Sequence, residues 1–252
     1  MAHRGILVDV TKCIGCGSCV EACQKANEQP AHEARGLDAH SYTYLMDRGN
    51  DTYVRRLCMH CENPSCASVC PVGALKKTAA GPVTYDPDKC MGCRYCMMAC
   101  PFGVPTYEWH SAAPRVRKCQ MCVHRGAAGP ACAEACPAGA TVTGDRDALI
   151  AEARRRVASD PKTYFQRVYG ITEAGGTDVL YIGPREPAAL GLPAVKTVGP
   201  LPELTWNALR HIPDVVLFGG VFLGGLFWLT KRKEDVARAE LAELADKGDH
   251  HA

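Results

Sequence analysis

Sixteen cysteines carry the chemistry of this 252-residue chain, and all of them lie before residue 137. They form four complete groups: Cys13, Cys16, Cys19 and Cys23; Cys58, Cys61, Cys66 and Cys70; Cys90, Cys93, Cys96 and Cys100; Cys119, Cys122, Cys132 and Cys136. The first and third groups read C-x2-C-x2-C-x3-C. The second and fourth open the middle gap, to C-x2-C-x4-C and C-x2-C-x9-C. A cubane of iron and sulfide needs four thiolates, and three cysteines at x2 spacing can wrap one side of it. The fourth ligand then comes from elsewhere in the chain. Zinc also accepts C-x2-C pairs, but it asks for two separated pairs, which three consecutive cysteines explain poorly. A disulfide framework is equally ill served by close neighbours repeated four times. The chemistry implied is one-electron transfer.

The elements that must hold these loops repeat as well. Strand-like runs, Ile6 to Val10 and Val83 to Tyr85, precede the first and third groups. Both of these groups have Lys just before the first cysteine (Lys12, Lys89) and Gly inside (Gly15, Gly92), where the backbone must pass close to sulfur. The second and fourth groups follow basic pairs, Arg55-Arg56 and Arg117-Lys118, and end in Cys-Pro-x-Gly-Ala. Long and short spacings therefore alternate, which marks a duplicated two-cluster unit. His60 and His124 lie inside the loops and are expected to be spacers or hydrogen-bond donors rather than ligands. Lys76 and Lys77 are expected at the surface.

Beyond residue 145 the cysteines stop. Asp147 to Ala158 reads as a short amphipathic helix ending before Pro161. Val179 to Ile182 fits a strand, and Gly175-Gly176 a turn. Residues 183–205 are rich in Pro and Gly and are expected to run extended. From Ile212 to Thr230 the chain is almost wholly apolar, with Asp214 and Trp228 at the two ends and a G-x3-G at Gly220 and Gly224. That length suits a membrane span, and the glycines suit a close partner helix. Lys231-Arg232-Lys233 follows at once, which puts the tail in the cytoplasm and the cysteine-bearing region on the other face. Lys233 to Ala245 reads as a charged helix. The N-terminus shows no signal peptide, so export is expected on a partner with its own twin-arginine signal.

The formal charge is +2. Nothing in it suggests a nucleic-acid partner. Four oxidised cubanes, each near −2, would take the loaded chain to about −6, so the Lys and Arg near the loops read as local compensation. There is no G-x-G-x-x-G between strand and helix, no P-loop and no nucleophile elbow, and no substrate site is expected.

The cysteine groups, the stretch Glu173-Ala-Gly-Gly-Thr-Asp-Val-Leu-Tyr181 and the C-terminal helix together resemble the four-cluster [4Fe–4S] electron-transfer subunits of oxidoreductase complexes. The likeness is to the beta subunit of membrane-bound formate dehydrogenase, the iron–sulfur subunit of quinone-linked nickel–iron hydrogenase, and the related molybdopterin oxidoreductases. It covers nearly the whole chain. It implies an α+β fold of two nested bacterial ferredoxin-like dicluster folds, an extended connector and one C-terminal transmembrane helix. The outer fold would take residues 1–50 and 111–182, the inner fold 51–110, the connector 183–210, the span 211–231 and the charged tail 232–252. The resemblance implies four [4Fe–4S] clusters. Cys13, Cys16 and Cys19 would join Cys136 on one, and Cys119, Cys122 and Cys132 would join Cys23 on its neighbour. Cys58, Cys61 and Cys66 would join Cys100, and Cys90, Cys93 and Cys96 would join Cys70. Some relatives replace one cysteine with Trp or Asn and hold a three-iron cluster; this chain keeps all sixteen. It departs in having Gln24 rather than Pro after Cys23, so the first loop is expected to leave its cluster differently.

The partners implied are a large catalytic oxidoreductase subunit, an integral membrane quinone or cytochrome b subunit, and membrane lipid. The setting implied is the inner membrane, crossed once, with the clusters periplasmic. Hydrogen leads formate slightly as the partner's substrate. A sulfur or nitrogen oxyanion reductase and a free-standing polyferredoxin-type carrier stand as alternatives.

Overall fold

The protein is described by a computed structural model covering residues 3–112, 114–196 and 199–249, with side chains through Leu241. Met1 and the last tail residues, 250–252, on which the leader and tail expectations partly fall, lie outside the described residues. The chain divides into two compact units, Met1–Pro202 and Glu203–Ala252.

In the first unit, β1 (Arg4–Asp9) is the central strand of a three-stranded sheet. Its run Ile6-Leu-Val8 is buried on both faces, as a continuous apolar strand requires. Helix α1 (Ser18–Ala26) follows the first loop. Three hairpins come next: first, β2 (Tyr44–Asp47) pairs antiparallel with β3 (Tyr53–Arg56). After α2 (Ser65–Ser68), β4 (Leu75–Lys77) pairs with β5 (Val83–Tyr85). After α3 (Tyr95–Ala99), β6 (Thr106–Tyr107) pairs with β7 (Val116–Arg117). Then α4 (Ala131–Glu134), β8 (Thr141–Asp145) and α5 (Arg146–Ser159) lead to β9 (Val179–Ile182). Strand β1 takes β8 antiparallel on one side and β9 parallel on the other.

Chain-distant pairs close the unit. Helix α1 packs on α4, and α2 on α3, so the helix of the first cysteine group meets that of the fourth, and the second meets the third. Hairpins β2–β3 and β6–β7 straddle residues 50/51 and 110/111, so each expected boundary is bridged by a strand pair. Helix α5 begins at an Asp145 cap that accepts the amides of Asp147 and Ala148, and its Leu149, Ala153 and Val157 cover Leu7, Leu180 and Ile182 of the sheet.

One buried carboxylate ties these parts together. Asp178, fully buried just before β9, accepts from Lys77 Nζ at 2.6 Å, and His3 Nε2 lies 2.8 Å from it. Arg146 Nε stands 3.6 Å away. Lys77 also donates to the His60 carbonyl, at 3.2 Å. The expectation of a surface Lys77 is therefore corrected: β4 turns its ammonium inward, where only a buried anion can compensate it, while Lys76 on the opposite face is exposed.

A second correction concerns residues 183–210. They are not extended throughout, because Leu201–Leu209 forms helix α6. Pro202 sits in its first turn, where no amide is needed, and the following residues contain no further Pro or Gly to stop it. Within the second unit, α7 runs unbroken from Ile212 to Asp249. Its apolar stretch to Thr230 is about 28 Å long at 1.5 Å per residue, close to the bilayer core of about 30 Å. No part of its most apolar stretch is buried, and it is the one helix among the described residues long and apolar enough to cross a membrane.

Replacing Asp178 with Ala strands the Lys77 ammonium and the Arg146 guanidinium, and leaves His3 without its partner. The expected loss is about 3 kcal/mol of stability, read by denaturant unfolding of the full chain under anaerobic conditions.

Candidate metal centres

The local geometry of the four loops is shared to a degree that their residues hide. In each C-x2-C the residue two after the first cysteine has a left-handed backbone: Gly15 (φ 72°), His60 (49°), Gly92 (74°) and Met121 (54°). That turn swings successive N–H groups inward toward sulfur, forming an anion-binding concavity. Glycine takes it freely, whereas His60 and Met121 each hold it at about 1–2 kcal/mol, which their full burial must sustain. Gly15 and Gly92 are needed for space too. A Cβ on Gly15 would lie 2.8 Å from the Tyr53 ring, and one on Gly92 2.8 Å from Tyr107 Oη. Amide donors reach sulfur at Ala74 to Cys70 Sγ (3.2 Å) and Met121 to Cys119 Sγ (3.3 Å). Asn27 Nδ2 reaches Cys23 Sγ at 3.5 Å.

Tertiary folding then brings distant cysteines together. Cys13, Cys16 and Cys19 line one pocket with Cys136, walled by Val8, Leu45 and Ala140. Cys90, Cys93 and Cys96 line another with Cys70. Elsewhere Cys61 faces Cys58, Cys100 and Cys66, and Cys23 faces Cys132 and Cys122. Cys119 lies against Cys23 and Cys132. All sixteen thiols are free of disulfides. Burial first, and then the repulsion of neighbouring sulfurs, pushes Cys23 and Cys66 up to about 12 and Cys96 to about 11, whereas the exposed Cys16 is lowered by its hydrogen bond to Ser18. Among the described residues, no three His, Cys, Asp or Glu donors converge tightly enough for a single metal ion.

The sets are also neighbours of one another. Cys19 of the first group feels Cys132 of the fourth, Cys119 feels Cys58, and Cys66 feels Cys96. Each sulfur set therefore adjoins another.

Comparison with known proteins agrees with this geometry. Models of the 4Fe-4S dicluster domain match residues 12–74 and 50–146. A protein of Nitratidesulfovibrio vulgaris is 39% identical over 95% of this chain and 70% of its own length. The hydrogenase-2 operon protein HybA of Escherichia coli O157:H7 is 32% identical over 98% of this chain and 86% of its own. The iron–sulfur subunit of the nitrate-inducible formate dehydrogenase of Escherichia coli K12 is 34% identical over 70% and 66%. The chain belongs to the family of ferredoxin-like [4Fe–4S] electron-transfer subunits of oxidoreductase complexes.

A [4Fe–4S] subunit must surround anionic clusters with donors and positive charge, and the residues present fit that demand. Arg55 is 1% exposed, and its three guanidinium nitrogens find no oxygen or nitrogen acceptor in the protein; the side chain they meet is the Cys132 thiol. Arg55 lines the cavity of Cys13, Cys16, Cys19 and Cys136. Lys118 is buried as well, with Nζ donating to the Val83 and Cys119 carbonyls. His60 accepts the Val83 amide at Nδ1 (2.9 Å), so its buried proton sits on Nε2, which has no protein partner. Of the roles expected of His60, Nδ1 is taken as an acceptor and Nε2–H alone is left to donate. His124 stands outside the loops' interior, with Nε2 2.9 Å from the Ala26 carbonyl. Gln24 replaces the usual Pro by extending α1: the helix runs through Cys23 to Ala26, and the buried Gln24 amide donates to the His32 carbonyl at 2.9 Å.

Two outcomes are expected. Gly92→Ala would drive a methyl group into the Tyr107 hydroxyl and strain a left-handed turn, so iron bound per chain would fall, as counted by chemical analysis. Burial first, then Lys118 and Lys77, holds His60 well below its ordinary value near 6.5. The unfolded chain alone takes up this proton. The stabilisation is thus complete above pH 6.5 and lost as pH falls below it, at up to about 1.4 kcal/mol per pH unit. Anaerobic urea unfolding between pH 7 and 5 would show a shallower pH dependence in His60→Asn.

Proposed function

We propose that the chain is a four-cluster electron relay between a catalytic subunit and a membrane subunit. Its [4Fe–4S] clusters would be held by Cys13, Cys16, Cys19 and Cys136; by Cys119, Cys122, Cys132 and Cys23; by Cys58, Cys61, Cys66 and Cys100; and by Cys90, Cys93, Cys96 and Cys70. The observation that carries the reading is that the sulfur sets adjoin one another, at Cys19 and Cys132, Cys119 and Cys58, and Cys66 and Cys96. Adjoining sets can pass an electron from one to the next, as a relay must.

The chain's share in the chemistry is to ligate iron, set potentials and exclude water. The left-handed turns aim N–H groups at sulfur, and the buried cations offset the clusters' negative charge. The pairing of α1 with α4 and of α2 with α3 supports two nested ferredoxin-like folds, the outer from residues 1–50 and 111–182 and the inner from 51–110.

The exposed α7 serves as a single membrane anchor. Its apolar length fits a bilayer, and Gly220 and Gly224 would admit a helix of a quinone- or haem-bearing partner. Lys231-Arg232-Lys233 places the tail in the cytoplasm and the clusters on the opposite face of the inner membrane. Hydrogen is the favoured substrate of the catalytic partner, because the likeness to HybA runs along 98% of the chain, whereas that to the formate dehydrogenase subunit stops at 70%.

Anaerobic purification from native membranes tests the reading. About 16 iron atoms and as many sulfides per chain are expected, together with a large subunit carrying nickel. Molybdenum or tungsten in that subunit would move the substrate to formate or an oxyanion. Stoichiometric zinc without iron would sink the relay itself.

A further inference from the structure

Arg55 and Arg56 are adjacent on β3 and point to opposite faces, yet their surroundings differ completely. Arg56 donates to two backbone carbonyls, Gly191 at 3.1 Å and Phe102 at 3.0 Å. Arg55 shares its face with Tyr53, whose ring closes over Gly15 of the first loop. Its guanidinium is fully enclosed, and the groups that act on it most strongly are the sulfurs of Cys132 and Cys19, followed by the Tyr181 hydroxyl. That hydroxyl is already committed, donating to the Arg55 carbonyl at 2.8 Å. The fully buried guanidinium thus has no carboxylate and no carbonyl. An arginine cannot shed its proton to escape such a position. A buried, unpaired cation with its donors unused is strongly destabilising unless an anion sits against it.

We propose that Arg55 is a shared counter-charge for the first two cysteine sites, donating its N–H groups to cluster sulfur on both and raising the reduction potential of both. This rests on the cluster reading above. Cys19 belongs to the set with Cys13, Cys16 and Cys136, and Cys132 to the set with Cys119, Cys122 and Cys23, so one guanidinium lies between two sites. A fixed positive charge favours the more negative, reduced state of each, and donors to sulfur act in the same direction. At the other pair of sites the buried cation is Lys118, which acts on Cys66 but donates its ammonium to the Val83 and Cys119 carbonyls rather than to sulfur. Arg55 is a positioning and tuning residue, since it ligates no iron. It also comes from the segment before the second cysteine group, whereas the sites it serves are built from the first and fourth groups.

The test is a redox titration of the full chain in its complex, followed by electron paramagnetic resonance, with iron counted first. In Arg55→Met with iron retained, two of the four midpoint potentials should move to lower values and two should stay. Arg55→Lys should move the same two by less. Four unmoved potentials at full iron content would overturn the proposal while leaving the cluster reading intact. Should Arg55→Met lose iron, the unaltered protein grown with 15N-labelled arginine decides. A nitrogen hyperfine coupling on a reduced-cluster signal supports the proposal, and its absence overturns it. A chain without iron at the outset would instead defeat the cluster reading on which the proposal stands.

Discussion

Buried sulfur atoms gathered in fours repel one another as soon as they ionise. Almost everything in the first unit answers to that constraint. Burial and neighbouring sulfurs push the most enclosed thiols up, Cys23 and Cys66 to about 12. Only a cationic core can turn such a set into four thiolates at once. The fold supplies what the core itself leaves unbalanced: inward N–H groups, a guanidinium with free donors, and an ammonium.

The backbone device is the same in all four loops, although only two of them use glycine for it. Gly15 and Gly92 take the left-handed turn under an aromatic lid, Tyr53 over one and Tyr107 near the other. His60 and Met121 take it without that freedom and are fully buried. Packing thus holds two of the turns that conformational preference gives to the other two. Both halves of the duplicated unit arrive at one geometry by different means.

The scaffold is stitched by contacts that join remote residues. Strand β1 lies between β8 and β9, more than 130 residues away in sequence. Asp178 binds the N-terminal segment, the β4–β5 hairpin and the start of α5 in one buried ion cluster. That cluster reaches the His60 carbonyl through Lys77, so the second cysteine loop leans directly on the sheet. The geometry of the cysteine loops therefore depends on residues that touch no sulfur.

The chain's local spacing was enough to reveal four complete ligand groups, their alternation, the two glycines at which the backbone passes close to sulfur, the strand at Val179–Ile182 and a helix of bilayer length. These are short-range signals: a tight loop, a run of apolar residues and a glycine each act within a few positions. Which cysteine of one group meets three of another was open to family resemblance but not to spacing, because it depends on α1 meeting α4 and α2 meeting α3. Nor could spacing separate Arg55 from Arg56, or Lys76 from Lys77. Each pair is chemically alike, and only the face of the strand decides which side chain is buried. The helix α6 within the expected connector was masked by its prolines, one of which occupies a first-turn position that needs no donor. The sequence by itself determined what the loops can bind. The tertiary structure decided which sulfurs share a site and which charges stand beside them, because burial and long-range pairing arise only when distant segments close on one another.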